Sequence, residues 1–593
     1  MSADFTPVLV KDSRIHSITD NIPFSVIKGG MNVSSQSFTA NSKSESQQTY
    51  NIVLPSENTL ISREVIWKQK ISFIATGKPG AGKRLLRKQQ AFASFPANQQ
   101  VETIQVVLNN NTVSEQSKDA LATVLNFMSM DDMKYYSTMT PTMPDNYKNY
   151  VDGDKTNNDV LGNYTAGNLL GDEIPRGAFP INVIKNPEAV GADSVVQAEF
   201  EVEFAEPLFV SPFAYSAGRY SATSAMYGLS ALNLTMNLDA SCKRMFRMAE
   251  TITDFTLRTN PAKTEASIQL MFLTPQSSDF LPQRNILPYT NLNRFVRDNG
   301  EKVLAKQSGT IKSPNISLSS IPDKLICCVR KKMSEQTFTD SDTFMAIKKI
   351  NITFGNQTGI CSSMTREQLF KASVANGVNS NWLQWYGKTS VYDATKGHNA
   401  DGSPTGEALK DLYLKGSVLC LQFGKDINLQ DYEASGSIGQ YNLNFDVEYE
   451  NNSAVDTNVE LFILLPQSGY ISIERGISNT AVGLLSRTDV LEVSQGESIG
   501  YSQTMRMMGS GWLSDAWDSV KSVGKKAINY GREHIKDVIP IARKALTAEM
   551  PTWAGSAINK YAESKGFGAH GNGKSGGKKH GISRRIKDME DEY

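Results

Sequence analysis

The chain has few of the side chains from which metal sites, disulfide frameworks and most hydrolytic active sites are built. It contains five cysteines and five histidines in 593 residues. The cysteines include no CxxC pair, and their odd number does not suit a disulfide framework. Three of the histidines follow Gly511, so no histidine cluster has the spacing of metal ligands. With no GxSxG motif either, the sequence predicts a protein that is not an enzyme and has no catalytic residue, metal or cofactor.

Long hydrophobic runs and a net charge are also missing. No stretch of about 18 apolar residues is present, and the first residues lack a basic start followed by an apolar core. Lys+Arg and Asp+Glu balance at 61 each. The balance is uneven along the chain, because residues 511–593 carry 15 basic and 10 acidic side chains. The sequence therefore predicts an intracellular, non-secreted product with a mildly acidic body and a basic tail, and buried free thiols.

Two similar phrases stand far apart in the sequence, IQLMFLTPQS at 268–277 and VELFILLPQS at 459–468. Each combines β-branched and bulky residues and stops at a proline, which cannot donate a sheet hydrogen bond. Four further features precede both copies in one order: a strand with an Asn-rich turn (104–112 and 350–358), a helical pattern (118–133 and 365–374), a strand (202–210 and 421–429) and a polar alternating strand (232–238 and 441–447). Five features in one order predict an internal duplication.

Strand-like segments bounded by Gly, Pro, Asn and Ser continue to about residue 495, a pattern typical of antiparallel sandwiches. A chain of 593 residues is too long for one core. We expect an N-terminal arm at 1–25, a first sandwich at 26–255 with a long insertion at about 138–193, a second sandwich at 256–505, and a helical tail at 511–593.

One phrase, GKPGAGKR at 77–84, nearly matches the phosphate-binding loop. Arg84 stands where that loop needs Ser or Thr, Pro79 removes a backbone donor, and the preceding strand alternates in polarity. These departures favour an exposed loop between antiparallel strands. A nucleotide hydrolase that uses Gly77 to Lys83 is the enzymatic alternative.

A second loop region, 380–416, contains Trp382, Trp385 and Tyr386. Aromatic side chains of this kind usually pack in a core or between subunits. They also suit a ligand platform, so a β-sandwich attachment or carbohydrate-binding protein is the alternative function.

From Gly511 the hydrophobic period changes from two to 3.6, which predicts amphipathic helices. One side of the first helix is apolar and suits the interface of an anionic membrane; its candidate membrane-active residues are Trp512, Leu513, Trp517, Val520 and Val523. Docking of these helices on the chain itself or on a partner protein is the alternative. Beyond Gly566, a Gly/Lys-rich linker carries candidate nucleic-acid contacts, namely Lys574, Lys578, Lys579, Arg584 and Arg585.

In the junction MRMMGSGW, Met507, Gly509 and Gly511 fit a five-residue pattern. The first position of this pattern is Met, Ile or Leu, the third and fifth are Gly, and the second and fourth are any residue. This pattern resembles the site of adenovirus-type maturation proteases, with cleavage between Ser510 and Gly511. About one match is expected by chance in a chain of this length, so the interpretation depends on its position where the hydrophobic period changes.

Several phrases together resemble one family. They are VIKGG at 26–30, FLPQRNILPYTNLNRF at 280–295, INITFGNQTG at 350–359, NWLQW at 381–385, GSVLCLQFGKDINL at 416–429 and GSIGQYNLNFDV at 436–447. Over about residues 25–500 the chain resembles the double jelly-roll major capsid proteins of the polinton, adintovirus and virophage group. The long amphipathic tail departs from that pattern and is similar in character to the membrane-lytic segments of nonenveloped viruses.

The resemblance implies a mainly β fold of two tandem antiparallel jelly rolls. It implies a major capsid protein whose homotrimers form pseudo-hexagonal capsomers of an icosahedral virion shell around DNA. Its partners would be copies of itself, penton-type minor capsid proteins and a viral maturation protease, and its tail would contact the host membrane or the genomic DNA. The protein would be made and assembled inside the host cell and located in the virion.

Overall fold

The computed structural model describes residues 8–10, 24–26 and most of 31–485. Its gaps within the last range are 57–58, 88–89, 119, 130–132, 134, 143, 146–178, 215–224, 249–251, 276–283, 393–396, 404, 406–407, 431–432, 454, 475 and 484.

The first half of the chain forms two antiparallel sheets that enclose a core. One sheet has the strand order β11-β12-β7-β16-β3, with β15 against β7 and β6 against β16, and the other has the order β10-β9-β13-β5-β4. Two short pairs, β1 with β2 and β8 with β14, lie outside these sheets. The strands are β1 (Val8–Val10), β2 (Phe24–Val26), β3 (Met31–Thr39), β4 (Ser42–Lys43), β5 (Gln47–Ile52), β6 (Leu60–Ile61), β7 (Ile66–Lys78), β8 (Gln90–Phe92), β9 (Val101–Leu108), β10 (Asn111–Glu115), β11 (Asn182–Lys185), β12 (Val196–Glu206), β13 (Leu232–Leu238), β14 (Phe246–Met248), β15 (Thr253–Thr259) and β16 (Glu265–Pro275).

The second half repeats this arrangement. One sheet has the order β17-β27-β20-β25 with β28 against β27, and the other has β18 and β19 against β26, followed by β21 and β22. A separate hairpin joins β23 and β24. The strands are β17 (Arg284–Val303), β18 (Ser308–Lys312), β19 (Ile316–Ser320), β20 (Lys324–Lys331), β21 (Ala346–Phe354), β22 (Gln357–Ile360), β23 (Lys388–Tyr392), β24 (Leu409–Tyr413), β25 (Leu419–Gln422), β26 (Ile438–Glu450), β27 (Thr457–Glu474) and β28 (Ile477–Val482).

The two halves share one topology. The order β3-β16-β7-β12 in the first half matches β17-β27-β20-β25 in the second, and β5-β13-β9-β10 matches the sheet of β18, β26, β21 and β22. Eight strands in two antiparallel sheets with these crossovers form a jelly roll. The predicted double jelly roll is therefore confirmed. The PQS phrases lie on the matched strands β16 and β27, and the other repeated strands also fall on matched positions.

The helices are short and lie between strands. Those with described bounds are α1 (Pro96–Gln100), α2 (Ala120–Val124) followed by a 3-10 turn at Leu125–Phe127, α3 (Arg366–Ala375), α4 (Trp382–Tyr386) and a 3-10 turn at Met333–Glu335. Helix α3 begins with the predicted capping box, in which Thr365 and Gln368 satisfy each other's backbone N–H groups. Within the predicted helical pattern at 118–133, the structure describes α2 and the 3-10 turn that follows it.

Alternation in the strands separates the core from the outer faces. On β12 the phenylalanines at 200 and 204 are buried, whereas the glutamates at 199, 201 and 203 lie on the opposite, partly exposed face. These glutamates form ion pairs with lysines of neighbouring segments: Glu199 with Lys263 at 3.5 Å, Glu201 with Lys70 at 3.7 Å and Glu203 with Lys68 at 2.5 Å. They form a solvated face and not a paired acid and base.

Strand pairing corrects the predicted boundary between the sandwiches. Strands β15 and β16 both pair with β7 of the first half, so a boundary at 255/256 would cut through β15 and separate β16 from the first sheet. The second sandwich begins at β17 instead. Within the predicted insertion at about 138–193, β11 adds an edge strand to the first sheet beside β12.

The described residues also show the state of the cysteines and the hydropathy of the helices. All five cysteines are free thiols, and four are buried, whereas Cys361 is half-buried. No helix among the described residues is long and apolar enough to cross a bilayer.

Candidate functional site

The second sandwich reaches over the first through a three-stranded arm, formed by the first part of β17, the last part of β27 and β28. The pairs run from Arg284 with Glu474 to Asn291 with Gln467, and β28 pairs with β27 over Gly469–Glu474. A Cβ at Gly469 would lie 2.2 Å from the Ala481 carbonyl oxygen. A glycine is therefore needed for β28 to lie this close to β27.

The arm closes the hydrophobic core of the first sandwich. Leu287, Tyr289, Ile471 and Ile473 are buried in one cluster with side chains of β5, β9 and β13. Burial of apolar side chains at a joint stabilises the folded state by roughly 25 cal/mol per Å² of apolar surface removed from water. The two sandwiches therefore share a core and are not linked by a flexible connection.

Polar contacts fix the position of the arm. The Thr290 backbone N–H donates to Ser211 Oγ at 3.1 Å. The Ser478 N–H on β28 donates to Asn110 Oδ1 at 2.9 Å, and its hydroxyl donates to the Leu108 carbonyl. These bonds join the end of the second sandwich to the β9–β10 turn of the first.

A second joint lies at helix α2. Its Ala120 is buried in a cluster with β20, β25 and β27 of the second sandwich. The Asn379 side-chain amide donates to the Met128 carbonyl at 2.9 Å, and its backbone N–H donates to Asn126 at 2.6 Å. The segment after α2 is thus anchored to the turn after α3.

A third joint is a buried charge cluster around Arg247 of β14. Its Nε lies 3.2 Å from Asp145 Oδ2 and its Nη2 lies 3.1 Å from Asp342 Oδ2. The Arg247 side chain is 2 % exposed, and its Nη1 also donates to the backbone carbonyls of residues 243, 244 and 246. Asp342 belongs to the second sandwich and Asp145 to the first, so one guanidinium pairs with a carboxylate from each.

Gln99 and the backbone complete this cluster. The Asp342 N–H donates to Asp145 Oδ2 at 2.9 Å, and Gln99 Nε2 donates to Asp342 Oδ2 at 3.1 Å. Removal of one member of such a cluster leaves a buried charge without compensation. The cluster therefore fixes the position of the second sandwich relative to the first.

Two buried glutamates lie near these joints. Glu206 accepts hydrogen bonds from the Ala97 and Asn98 backbones, both at 2.9 Å, and from the Thr140 hydroxyl at 3.0 Å. It thereby caps α1, whose N-cap residue Phe95 makes no side-chain capping bond. Burial raises the pKa of Glu206, and these hydrogen bonds oppose that shift.

Glu115 ends β10 close to the arm. Burial raises the pKa of its carboxyl to about 8, against a hydrogen bond from the Ser211 backbone that lowers it. Tyr289 of the arm has its pKa raised to about 12, first by burial and then by the charge of Glu115. A carboxyl that resists ionisation therefore lies where the two sandwiches meet.

The alternative sites proposed from sequence have ordinary structural roles. In the loop at 77–84 the Gly82 N–H donates to the Ala189 carbonyl and the Lys83 N–H donates to Gly80, so both amides are already paired. Trp385 is buried and its indole N–H donates to the Val418 carbonyl at 3.0 Å. The Arg366 guanidinium lies over the Tyr386 ring at 5.0 Å. Two backbone amides of the loop and the Trp385 indole N–H of the aromatic cluster are therefore already engaged within the chain.

The residues predicted for cleavage, membrane contact and nucleic-acid contact lie outside the described residues. They are Met507, Gly509, Ser510, Gly511, Trp512, Leu513, Trp517, Val520, Val523, Lys574, Lys578, Lys579, Arg584 and Arg585. Sequence reasoning missed Arg247, Asp342 and Glu206. The one local signal was an arginine inside the short apolar segment FRM of β14.

Comparison with known proteins identifies the family. Residues 3–273 match the model of the Sputnik virophage major capsid protein 1st domain, and residues 292–469 match that of the major capsid protein V20 C-terminal domain. The putative capsid protein V20 of Sputnik virophage is 26% identical over 537 residues, which are 88% of this chain and 87% of the relative. The chain belongs to the virophage-type double jelly-roll major capsid proteins.

Solved structures agree with this assignment. A chain of the cryo-EM structure of Sputnik virophage superimposes with a TM-score of 0.71 at 25% identity, over 85% of this chain and 99% of that chain. The mavirus major capsid protein superimposes with a TM-score of 0.61 at 15% identity, over 81% and 95% of the two chains, and shows the shared fold. The relatives are structural capsid proteins, in agreement with the prediction that this capsid protein is not an enzyme.

Proposed function

We propose that three copies of this major capsid protein associate into a pseudo-hexagonal capsomer, and that such capsomers form an icosahedral shell around a DNA genome. The observation that carries the proposal is the fusion of two sandwiches of one topology into a single block. Three such blocks around an axis present six sandwiches, so a threefold ring acquires a nearly sixfold outline. That outline allows identical capsomers to pack side by side.

Contacts between copies in this arrangement are broad and apolar at the centre, as in obligate assemblies, while loops at one end of the sandwiches face outward. A six-sandwich capsomer does not fit a fivefold position, because its threefold symmetry does not match the fivefold symmetry of that position. Penton-type minor capsid proteins would fill those positions. In this proposal the protein is made and assembled inside the host cell.

Residues 511–593 form a separate functional segment in this proposal, and the body extends from the arm at 1–25 to about residue 505. A viral maturation protease would cleave between Ser510 and Gly511, or the segment would stay inside the particle. Its apolar side around Trp517 would insert into a membrane interface during assembly or entry. The basic residues from Lys574 to Arg585 would contact the genome through phosphate charge.

Mass spectrometry of chains extracted from purified particles tests both the role and the processing. We expect this capsid protein to be the most abundant chain and its C-terminus to be Ser510. Unassembled protein from cells that lack the protease serves as the control and should retain residues 511–593. Absence of the chain from the particles would contradict the proposed role, whereas full-length chains in mature particles would contradict the cleavage alone.

A peptide of residues 511–559 tests the membrane role. We expect it to release a trapped dye from anionic vesicles, because tryptophans and apolar residues on one side and lysines on the other suit that interface. The substitution Trp517→Glu places a charge on the apolar side and should reduce leakage at least tenfold. The matched control, Ser522→Glu on the polar side, should reduce it far less. Equal leakage by the two variants would contradict insertion through this side.

A further inference from the structure

Strand β3 is an edge strand of the first sandwich. It pairs with β16 over nine residues, from Met31 with Pro275 to Thr39 with Ser267, without a register shift. Within the described part of the chain no strand lies on its other side. Alternate backbone N–H and C=O groups therefore point outward along its whole length.

Both faces of β3 are also exposed. Every side chain from Val33 to Ser37 is exposed, and Val33 is 61 % exposed. Phe38 is partly covered, by an edge-to-face contact with Phe272 at a ring-centroid distance of 6.1 Å. In the described structure β3 is therefore held mainly by its pairing with β16.

Two other edge strands of the molecule, β25 and β17, are protected. At β25 the Ser373 hydroxyl accepts from the Cys420 N–H at 3.1 Å, and the Asn376 side chain donates to the Cys420 carbonyl at 2.9 Å, so helix α3 covers this edge. Edge strand β17 contains Pro288, a register shift and several charged residues. Charge, proline and irregular register are the usual devices that prevent edge-to-edge association. The sequence of β3, MNVSSQSFT, has no charged residue and no proline.

We propose that β3 pairs antiparallel with β3 of a second copy across a twofold axis, so that the sheets of two copies join edge to edge. A twofold contact places residue i of one strand opposite residue j of the other, and j opposite i, so only the residue at the axis faces its own counterpart. Like charges near that axis would repel each other. The uncharged sequence of β3 fits this self-complementary contact. Contacts within a threefold ring are head-to-tail, so the β3 pair links neighbouring capsomers. This inference rests on the proposed assembly into capsomers.

Cysteines placed one at a time at Ser34, Ser35, Gln36 and Ser37 of the full-length chain test the contact. In assembled particles under oxidising conditions we expect disulfide-linked dimers, with a yield that peaks at one position and decreases on either side. The peak yield should exceed that of Ser317→Cys, on the exposed side of β19, at least fivefold. The unsubstituted protein gives the background from its own thiols.

A charged substitution on the open edge of β3 tests the same contact independently, through the yield of assembly instead of cross-linking. Ser35→Lys should leave the mass of the isolated capsomer unchanged and reduce the yield of larger assemblies at least tenfold, whereas Ser317→Lys should assemble normally. Failure of all four cysteines to cross-link in particles, or normal assembly of Ser35→Lys, would overturn the β3 contact. Failure of the unsubstituted chain to form capsomers would instead contradict the proposed function.

Discussion

Arg247→Met is expected to destabilise the protein by about 3–5 kcal/mol, because it leaves the buried carboxylate of Asp145 and the partly buried carboxylate of Asp342 without their cation. Asp145 and Asp342 lie within 3.2 Å and 3.1 Å of the guanidinium and come from different sandwiches. The loss should appear as a lower urea midpoint for unfolding of the full chain. A second substitution, Asp342→Asn, should recover part of it, since it removes one of the uncompensated charges.

The matched control for this experiment is Arg258→Met. Arg258 is exposed and lies 3.9 Å from Glu45, so its loss should change stability by less than about 0.5 kcal/mol. If the two variants unfolded at the same urea concentration, the Arg247 cluster would not hold the sandwiches together, and the joint would depend on the apolar arm alone.

Glu115→Gln is expected to stabilise the protein at alkaline pH and to have little effect at acid pH. The pKa of Glu115 is raised to about 8 by burial, whereas in the unfolded chain it returns to the ordinary value near 4.5. Between these values the unfolded state releases a proton that the folded state keeps, so stability falls as pH rises through this window. Glutamine copies the protonated form and removes this loss, on the order of 4 kcal/mol at about pH 9.

Unfolding midpoints of the variant and the unsubstituted protein at about pH 5 and about pH 9 measure this difference. Glu188→Gln, at an exposed carboxylate 3.9 Å from Arg84, is the control and should show no gain with pH. A gain for Glu115→Gln that is equal at both pH values would show that the carboxyl ionises normally in the fold.

The strands were predictable because their signals are local. Alternation of buried and exposed positions, as in β12, follows directly from the period of a strand, and the capping box of α3 is a four-residue pattern. The duplication followed from comparing two such sets of signals, and the matched positions of β16 and β27 confirm it.

The boundary and the joints were not predictable because they depend on long-range pairing. In a jelly roll the last strand pairs with the first, so β16 belongs with β3 although more than 200 residues separate them. Arg247 and Asp342 are likewise far apart in sequence, and no periodicity links them. The proposed cleavage and membrane residues beyond residue 506 remain predictions.

The mass of the purified full-length protein in native mass spectrometry tests the central claim most directly. Two fused sandwiches per chain, three chains per capsomer, predict a dominant species of about three times the 65.2 kDa chain mass. A protein that stays at the mass of one chain across the accessible concentrations, or that forms closed dimers, would contradict the account.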